Sequence, residues 1–449
     1  MPKTRVENRV AQSFVTFVER YYPDSFVFVI LLTGMAFAMV FMLTDAGVGD
    51  ALRAWGGGLP SLLNFMAQLA ITLITAHALA HTDFVDYLLQ RFANLPRREW
   101  QAYSLVVFVA SMGSLIAWSL GLIVGGLIAR RVAVEGRKRG LRLDYPLIVA
   151  SAYAGMVVWH MGYSGSAPLF VATAGHQFES ITGIIPVTET LFTSWNLIAI
   201  MVTVAAITLL CPLMRPPTDR IVEITFDDSE VPPSTDVTSE GSSIRQLLDH
   251  NRVMSMAFGV LLVAFLHTWF VDEGFALNLN IVNWTFLAAG LLLARCPAHY
   301  VRLVSAAGQT VGAVLIQYPF YAGIMGLMLG TGLVNVIAGW FTQFATADSL
   351  PFWAFISGGL VNMFIPSGGG QWAVQGPIFL EAANAMGTEP AKVVMGIAYG
   401  DQWTNMIQPF WTIPLLAIAG LHARQIMGYT FMVFLVTAVT LGLSIYLAG

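Results

Sequence analysis

Two short stretches concentrate the polar chemistry of an otherwise strongly apolar chain. YGDQWTNMIQP, Tyr399 to Pro409, packs Asp401, Gln402, Thr404, Asn405 and Gln408 into a run that is expected to lie within a membrane. An ionisable group at that depth is costly and as a rule faces a cavity or a partner. As a carboxylate, Asp401 can coordinate Na⁺ with Thr404, Asn405, Gln408 and freed backbone carbonyls. Kept neutral by burial it can carry a proton instead, and as a purely structural group it can cap a half-helix N-terminus. His160 offers a proton relay or a donor to an anionic ligand, or else is a core histidine with satisfied hydrogen bonds.

The second stretch is PSGGGQW, Pro366 to Trp372. Proline cannot extend a helix through its own amide, and the glycines of Gly368, Gly369 and Gly370 allow close backbone approach. A hairpin tip fits. Amides at the start of the returning half-helix then point towards the membrane centre and can bind a carboxylate without arginine. Ser367 and Gln371 add donors. The plainer reading is a kinked helix or a small-residue packing face. GYSGSAP, Gly162 to Pro168, is a further break, and the hydroxyls of Ser164 and Ser166 suit a carboxylate or a sodium ion. His77 and His81 share a helical face at a metal-compatible spacing without a third ligand and read as structural. Trp159, Trp372, Trp403 and Trp411 flank the breaks and either wall an apolar pocket or simply pack.

These breaks need membrane elements to hold them. With 56% hydrophobic and 11% charged residues and a mean hydropathy of +0.69, the chain has too few charges to coat a soluble particle, for which about 25% is usual. Ser25 to Thr44 is charge-free and matches the roughly 20 residues needed to span the hydrocarbon core. Segments 59–80, 193–214, 253–271, 279–294, 303–329 and 425–448 read the same way. Asp144 to Thr173 as one helix would measure about 45 Å against a core of about 30 Å, so an interruption at GYSGSAP is expected. A cleavable signal is not expected: Lys3, Arg5, Arg9 and Arg20 precede a first stretch longer than a signal core, with no clear cleavage site.

The second half re-uses the first. Residues 64–92 fall on 313–341 at an offset of 249, matching Gln68 with Gln317, Thr82 with Thr331, Val85 with Val334 and Phe92 with Phe341. Gly113, Leu115 and Gly125 fall on Gly358, Leu360 and Gly370 at 245. Ala152 and Tyr153 precede Pro168 and Leu169 as Ala398 and Tyr399 precede Pro414 and Leu415, at 246. If 102–130 and 351–383 dip in and return on the side they came from, nine segments cross, and only Arg53 and Lys392 among the basic residues fall outside. Full crossing by either stretch would break that asymmetry. The repeats are then inverted. The expected fold is an all-α polytopic membrane protein of two inverted repeats, each with a re-entrant helical hairpin and an interrupted transmembrane helix. Residues 1–214 form the first repeat, 215–252 a mobile polar cytoplasmic linker with acidic DDSE and SEGSS runs, and 253–449 the second repeat with one extra helix. The cysteines Cys211 and Cys296 suggest neither a disulfide framework nor a zinc site.

The runs YSGSAP, IPVTETLF, QYPFYAGI, PSGGGQWAVQGP and AYGDQWTNMIQPFW resemble the bacterial short-chain fatty acid transporters of the acetoacetate and butyrate uptake type. The resemblance covers nearly the whole chain. That family belongs to the ion transporter superfamily, whose citrate and dicarboxylate cation symporters have similar inverted repeats and paired hairpins. The resemblance implies uptake of small monocarboxylates at the bacterial inner membrane, and dimerisation. By position it implies a substrate site lined by Ser164, Gly165 and Ser166 with Ser367, Gly368, Gly369, Gly370, Gln371 and Trp372. It places the coupling ion at Asp401, Thr404 and Asn405, beside Gln408 and His160. Met161 stands where relatives carry a small residue, which implies a different pocket shape.

The physics accepts such a substrate. A carboxylic acid is mostly anionic at neutral pH, and driving it against an inside-negative potential costs about 2.3 kcal/mol per 100 mV. One co-transported cation cancels that charge; two make entry voltage-driven. The expected function is a cation-coupled symporter, with Na⁺ or H⁺ as coupling ion and no cofactor. A di- or tricarboxylate symporter is the alternative, then a passive anion channel. An enzyme is not expected, since neither a GxSxG nor an HExxH motif accompanies the polar residues, and no GxxxxGK[ST] loop supports ATP-driven transport. The expected partners are the carboxylate and membrane lipid, with no nucleic acid. The N-terminus is expected in the cytoplasm and the C-terminus outside.

Overall fold

A computed structural model describes residues 16, 20–225, 248–274, 278–308 and 312–448. Lys3, Arg5 and Arg9 and the DDSE and SEGSS runs lie outside the described residues. The described chain is helical throughout. Helices α1 (Ser25–Leu43), α2 (Val48–Gly58), α3 (Leu63–Ala80) and α4 (Asp83–Ala93) lead to a long pair, α5 (Glu99–Ile116) and α6 (Trp118–Lys138), separated by Ala117 alone. Then come α7 (Tyr145–Ala154), which tightens into a 3-10 turn over Gly155–Met161, and α8 (Ser166–Val171), α9 (Glu179–Thr182) and α10 (Ser194–Leu213). The second half runs α11 (Arg252–Asp272), α12 (Leu279–Leu293), α13 (Pro297–Gly308), α14 (Gly312–Gly330), α15 (Leu333–Phe344), α16 (Leu350–Asn362), α17 (Gly368–Met386) and α18 (Pro390–Thr404). A 3-10 turn over Asn405–Ile407 follows, then α19 (Thr412–Ala419) and α20 (Ala423–Ala448).

Among the described residues five spans are long and apolar enough to cross a membrane: Ser25–Leu43, Val48–Ala80, Ser194–Leu213, Arg252–Asp272 and Ala423–Ala448. A sixth forms if Leu315–Gly330 and Leu333–Phe344, bent by 63°, count as one. The chain is an integral membrane protein. One expected segment differs in extent. The run at 59–80 begins earlier, as α2, and turns at Leu59 to Leu62, where Pro60 interrupts it. The segment 303–329 falls on α13 and α14, and 309–311 lie outside the described residues.

Element boundaries recur at the sequence offsets. Shifted by 249, the start of α2 at Val48 falls on Pro297, the start of α13, and the end of α3 at Ala80 falls on 329, against Gly330 at the end of α14. Shifted by 246, the tight turn at Gly155–Met161 ends at 407, as does the one at Asn405–Ile407, and Ser166–Val171 falls on 412–417, inside Thr412–Ala419. Pro168 and Pro414 occupy the same early position of α8 and α19. In a first turn no intrahelical partner is lost by lacking an N–H, while a longer helix reaching back across the break is prevented.

Backbone contact fixes the second-half pair. A Cβ on Gly400 in α18 would overlap the Phe355 carbonyl oxygen of α16 and come within 2.6 Å of the Gly359 nitrogen. Only glycine lets the two backbones approach so closely. Gly400→Ala is expected to cost about 1–3 kcal/mol by forcing α16 and α18 apart, read as a lowered thermal unfolding midpoint of the detergent-purified protein; an unchanged midpoint would contradict this packing.

The start of the polar linker is docked, contrary to a mobile connector. Tyr145 N donates to Val222 O at 2.7 Å, Val222 N donates to the Asp144 carboxylate at 3.0 Å, and Arg137 donates to Ile224 O. Arg215 pairs with Glu99 at 3.0 Å, and Ile224 is buried. An apolar residue among paired charges holds 215–225 against the ends of α5, α6 and α7. Asp144 also caps α7 through Leu147 N (3.0 Å) and accepts from Tyr429 Oη (3.1 Å), so the same carboxylate ties α7 to α20. Cys211 and Cys296 are both free and buried.

Candidate functional site

The two breaks meet around a cavity of about 160 Å³ lined by Leu62, Phe65, Trp118, Trp159, Ser166, Pro366, Ser367, Gly368, Gly369, Phe410 and Trp411. This is well below the roughly 300–1,000 Å³ of a drug-sized pocket. One end is polar. Ser367 is the N-cap of α17 and accepts from Gly370 N at 3.4 Å, and the Gln371 amide closes on Ser367 O at 2.8 Å. The Gly368 and Gly369 amides are the first of this 19-residue helix and lie at the cavity wall, where helix geometry leaves N–H groups without intrahelical partners. Ser166, first residue of α8, brings its hydroxyl to the same place.

His160 stands behind this polar end. Its ring Nδ1 accepts from Ser166 N at 3.3 Å, which leaves the proton of the neutral ring on Nε2. Its backbone N donates to Gln402 Oε1 at 2.9 Å. Nε2 is 3.5 Å from Asp401 Oδ1. A Cβ on Gly368 would lie 2.6 Å from His160 Cε1, 2.7 Å from Nε2 and 3.0 Å from Ser166 Oγ, so the tip of α17 rests directly on the imidazole edge.

The other walls are aromatic and come from elements far apart in sequence. Phe65 on α3 stacks at 6.3 Å on Phe410 and meets Trp411 edge-on at 6.0 Å; Trp118 meets Trp411 at 4.8 Å, and Trp159 lies 6.0 Å from Trp411. Such offset and edge contacts are the favourable ones for rings. The indole N–H groups of Trp159 and Trp411 are buried with no acceptor among the described residues.

The polar run on α18 forms a separate, fully buried cluster. Asn362, at the end of α16, points its Nδ2 at Asp401 O (2.8 Å), Thr404 Oγ1 (3.0 Å) and Asn405 Oδ1 (2.7 Å). Thr404 donates to Gly359 O at 2.9 Å. Gln408 donates to Asn362 O and Asn405 Oδ1, each at 3.2 Å, and Asn405 Nδ2 is 3.5 Å from Asp401 Oδ1. Asp401 is 1% exposed, and its Oδ2 has no donor among the described residues.

Of the residues expected around a substrate, Ser166, Ser367, Gly368 and Gly369 line the cavity. Ser164 does not: its hydroxyl accepts from Trp118 N at 3.1 Å and lies 3.3 Å from the carbonyls of Ser114 and Trp159, holding the start of α6. Gly165 packs as the N-cap of α8, with its Cβ position 2.5 Å from His160 O. Gly370 turns its amide back to Ser367. Gln371 is drawn away by Gly358 O and Gln375, both at 2.8 Å, because a buried amide must find partners. Trp372, one turn further into α17, packs on Phe170 and Phe178 instead. Trp403 donates to Phe434 O at 2.9 Å and stacks there, away from the cavity, and Met161 is buried outside it. The His77 and His81 rings stack 4.2 Å apart, and no cluster of three metal-ligating side chains occurs among the described residues. Asn362, Phe65, Trp118 and Phe410 were missed. Asn362 was findable as a lone amide in an apolar run just before Pro366; an aromatic residue in an apolar helix carries no such mark.

Known proteins resemble the chain over nearly its whole length. A family model described as short chain fatty acid transporter matches residues 6–448. A protein of Escherichia coli K12 that carries the name of a candidate short-chain fatty acid transporter is 38% identical over 443 residues, covering 98% of this chain and 99% of that one. One of the same name from Haemophilus influenzae Rd is 34% identical over 447 residues, with 98% and 99% covered. Among solved structures, Neisseria gonorrhoeae MtrF, described with a class of antimetabolite efflux pumps, is similar at 16% identity and a TM-score of 0.43, with 98% of this chain and 97% of that one covered.

Proposed function

The chain belongs to the short-chain fatty acid transporter family, and from that premise we propose that it is a cation-coupled symporter bringing short-chain monocarboxylates such as butyrate or acetoacetate across the bacterial inner membrane. The observation that carries the reading is the two-ended cavity. The Gly368 and Gly369 amides with the Ser166 and Ser367 hydroxyls offer a carboxylate several neutral donors and the positive end of α17. The aromatic walls offer a short aliphatic tail an apolar surface worth about 25 cal/mol per Å² buried. No Lys or Arg is among the lining residues, which favours one carboxylate over two or three.

The recurring element boundaries support two repeats, 1–214 and 253–449, joined by the linker 215–252. The distribution of basic residues supports inverted orientation, re-entrant pairs α5/α6 and α16/α17, and a cytoplasmic N-terminus with the C-terminus outside. The cluster around Asp401 is the coupling site, with Thr404, Asn405 and Gln408 as its polar surround and His160 connecting it to the α17 tip.

Uptake of labelled butyrate and acetoacetate into proteoliposomes under separate Na⁺ and proton gradients tests the reading, with citrate and succinate as competitors. Gradient-driven butyrate uptake is expected; transport of citrate instead moves the substrate to the di- and tricarboxylate class, and no carboxylate uptake under any gradient refutes symport. Phe65→Ala enlarges the apolar end and is expected to shift preference from butyrate towards hexanoate by about 10-fold in relative uptake rate, the scale of one or two methylenes in an apolar pocket. An unchanged chain-length profile would remove Phe65 from the tail site.

A further inference from the structure

The chemistry of the two halves differs where their boundaries agree best. We infer that the chain holds one monovalent metal-cation site, formed by side-chain oxygens of Asn362, Asp401 and Gln408, with no counterpart in the first half, so that one cation crosses with each monocarboxylate and no net charge moves. The inference rests on the symport reading and specifies its ion and stoichiometry.

Asn362 Oδ1, Asp401 Oδ2 and Gln408 Oε1 are all buried without a donor among the described residues. Asn405 joins their side chains, since its Oδ1 accepts from Asn362 and Gln408 and its Nδ2 faces Asp401. The Asn362 amide cannot be turned over to satisfy its oxygen. Its Nδ2 is 2.8 Å from Asp401 O, and exchanging the two ends would bring two carbonyl oxygens together there. A proton on Asp401 satisfies only one of the three oxygens. A hard cation satisfies all three, and a single positive charge matches the single carboxylate, whereas a divalent ion would leave uncompensated charge in apolar surroundings.

The equivalent positions of the first half carry no such oxygens. At an offset of 246, Asp401, Thr404, Asn405 and Gln408 fall on Gly155, Val158, Trp159 and Gly162, and at 245 Asn362 falls on Ala117. The carbonyls exposed by that break already accept hydrogen bonds: Leu115 O from Tyr163 N at 2.7 Å, and Trp159 O from Gly162 N at 3.4 Å, with Ser164 Oγ close to both Ser114 O and Trp159 O. The Ser114 hydroxyl is left over, and a single oxygen does not make a cation cage.

The test uses the full-length protein. Initial entry of ²²Na⁺ and labelled butyrate into proteoliposomes is measured side by side, then butyrate accumulation is compared at zero potential and at about −100 mV set by potassium and valinomycin. The expected sodium-to-butyrate ratio is about one, with accumulation unchanged within about two-fold; a second cation would raise accumulation about 50-fold at that potential. A ratio of two, or that rise, overturns the inference. So does butyrate uptake driven by protons without ²²Na⁺ entry, which leaves symport standing. Absence of butyrate uptake under every gradient instead refutes the symport reading, and sodium binding then decides the site alone. In detergent, sodium is expected to change tryptophan fluorescence saturably where potassium and choline do not, with apparent affinity at least about 10-fold weaker in both Asn362→Ala and Gln408→Ala. A wild-type protein without that response has no such site.

Discussion

Gly368→Ala is expected to lower butyrate uptake by at least about 100-fold while leaving a folded protein. The added methyl would meet His160 Cε1 at 2.6 Å, Nε2 at 2.7 Å and Ser166 Oγ at 3.0 Å. The imidazole cannot yield easily. Its Nδ1 is held by Ser166 N, its backbone by Gln402, and its Nε2 already lies 3.5 Å from Asp401 Oδ1. The tip of α17 must therefore retreat, and the Gly368 and Gly369 amides leave the place where a carboxylate needs them. Displacement by about 1 Å of a group that orients a ligand is enough to cost about 100-fold, whereas the overpacking itself costs only about 1–3 kcal/mol of stability. Uptake by Gly368→Ala, normalised to folded protein by size exclusion, checks the expectation. Wild-type uptake by Gly368→Ala would mean that the carboxylate is not held at this tip.

Asp401→Asn is expected to abolish concentrative uptake, lowering gradient-driven accumulation at least about 100-fold, while exchange of labelled for unlabelled butyrate across the membrane persists. Asparagine keeps the size of the side chain, and the backbone carbonyl that accepts from Asn362 is untouched. What disappears is the negative charge, in a place where burial makes a charge partner worth several kcal/mol. Without it nothing compensates the cation, and the ion no longer rides with the substrate. Exchange needs only the carboxylate site, which lies across His160 from the acid. A variant that still accumulates butyrate with the wild-type gradient dependence would show that Asp401 is a structural group.

Some of this could be read from the chain because it is written in local chemistry. Glycine, proline and serine in PSGGGQW and GYSGSAP cannot continue a helix through the membrane, and the turns stand where those residues do. The offsets 246 and 249 between matched residues also return in several element boundaries, because each element starts and stops on its own residues. The density of polar side chains between Asp401 and Gln408 marks a cluster that is buried and cross-linked by hydrogen bonds, although Asp401 Oδ2 and Gln408 Oε1 have no donor among the described residues.

The remainder needed three dimensions. Ser164 and Ser166 are two residues apart and chemically alike, yet one holds the start of α6 and the other faces the cavity, because the chain turns into α8 between them. The linker at 215–225 reads as a solvated tether by composition but is pinned by Arg137, Asp144 and Tyr145, partners from other parts of the chain. By itself the sequence determined that this is a membrane protein with broken helices and a buried acid, since hydropathy, charge and helix-breaking residues act within a few positions of one another. Only the tertiary structure decided which groups share a cavity. Its aromatic wall joins Phe65, Trp118, Trp159, Phe410 and Trp411, and in an apolar helix nothing distinguishes a ring that packs on a ligand from one that packs on lipid until the neighbouring helices are in place.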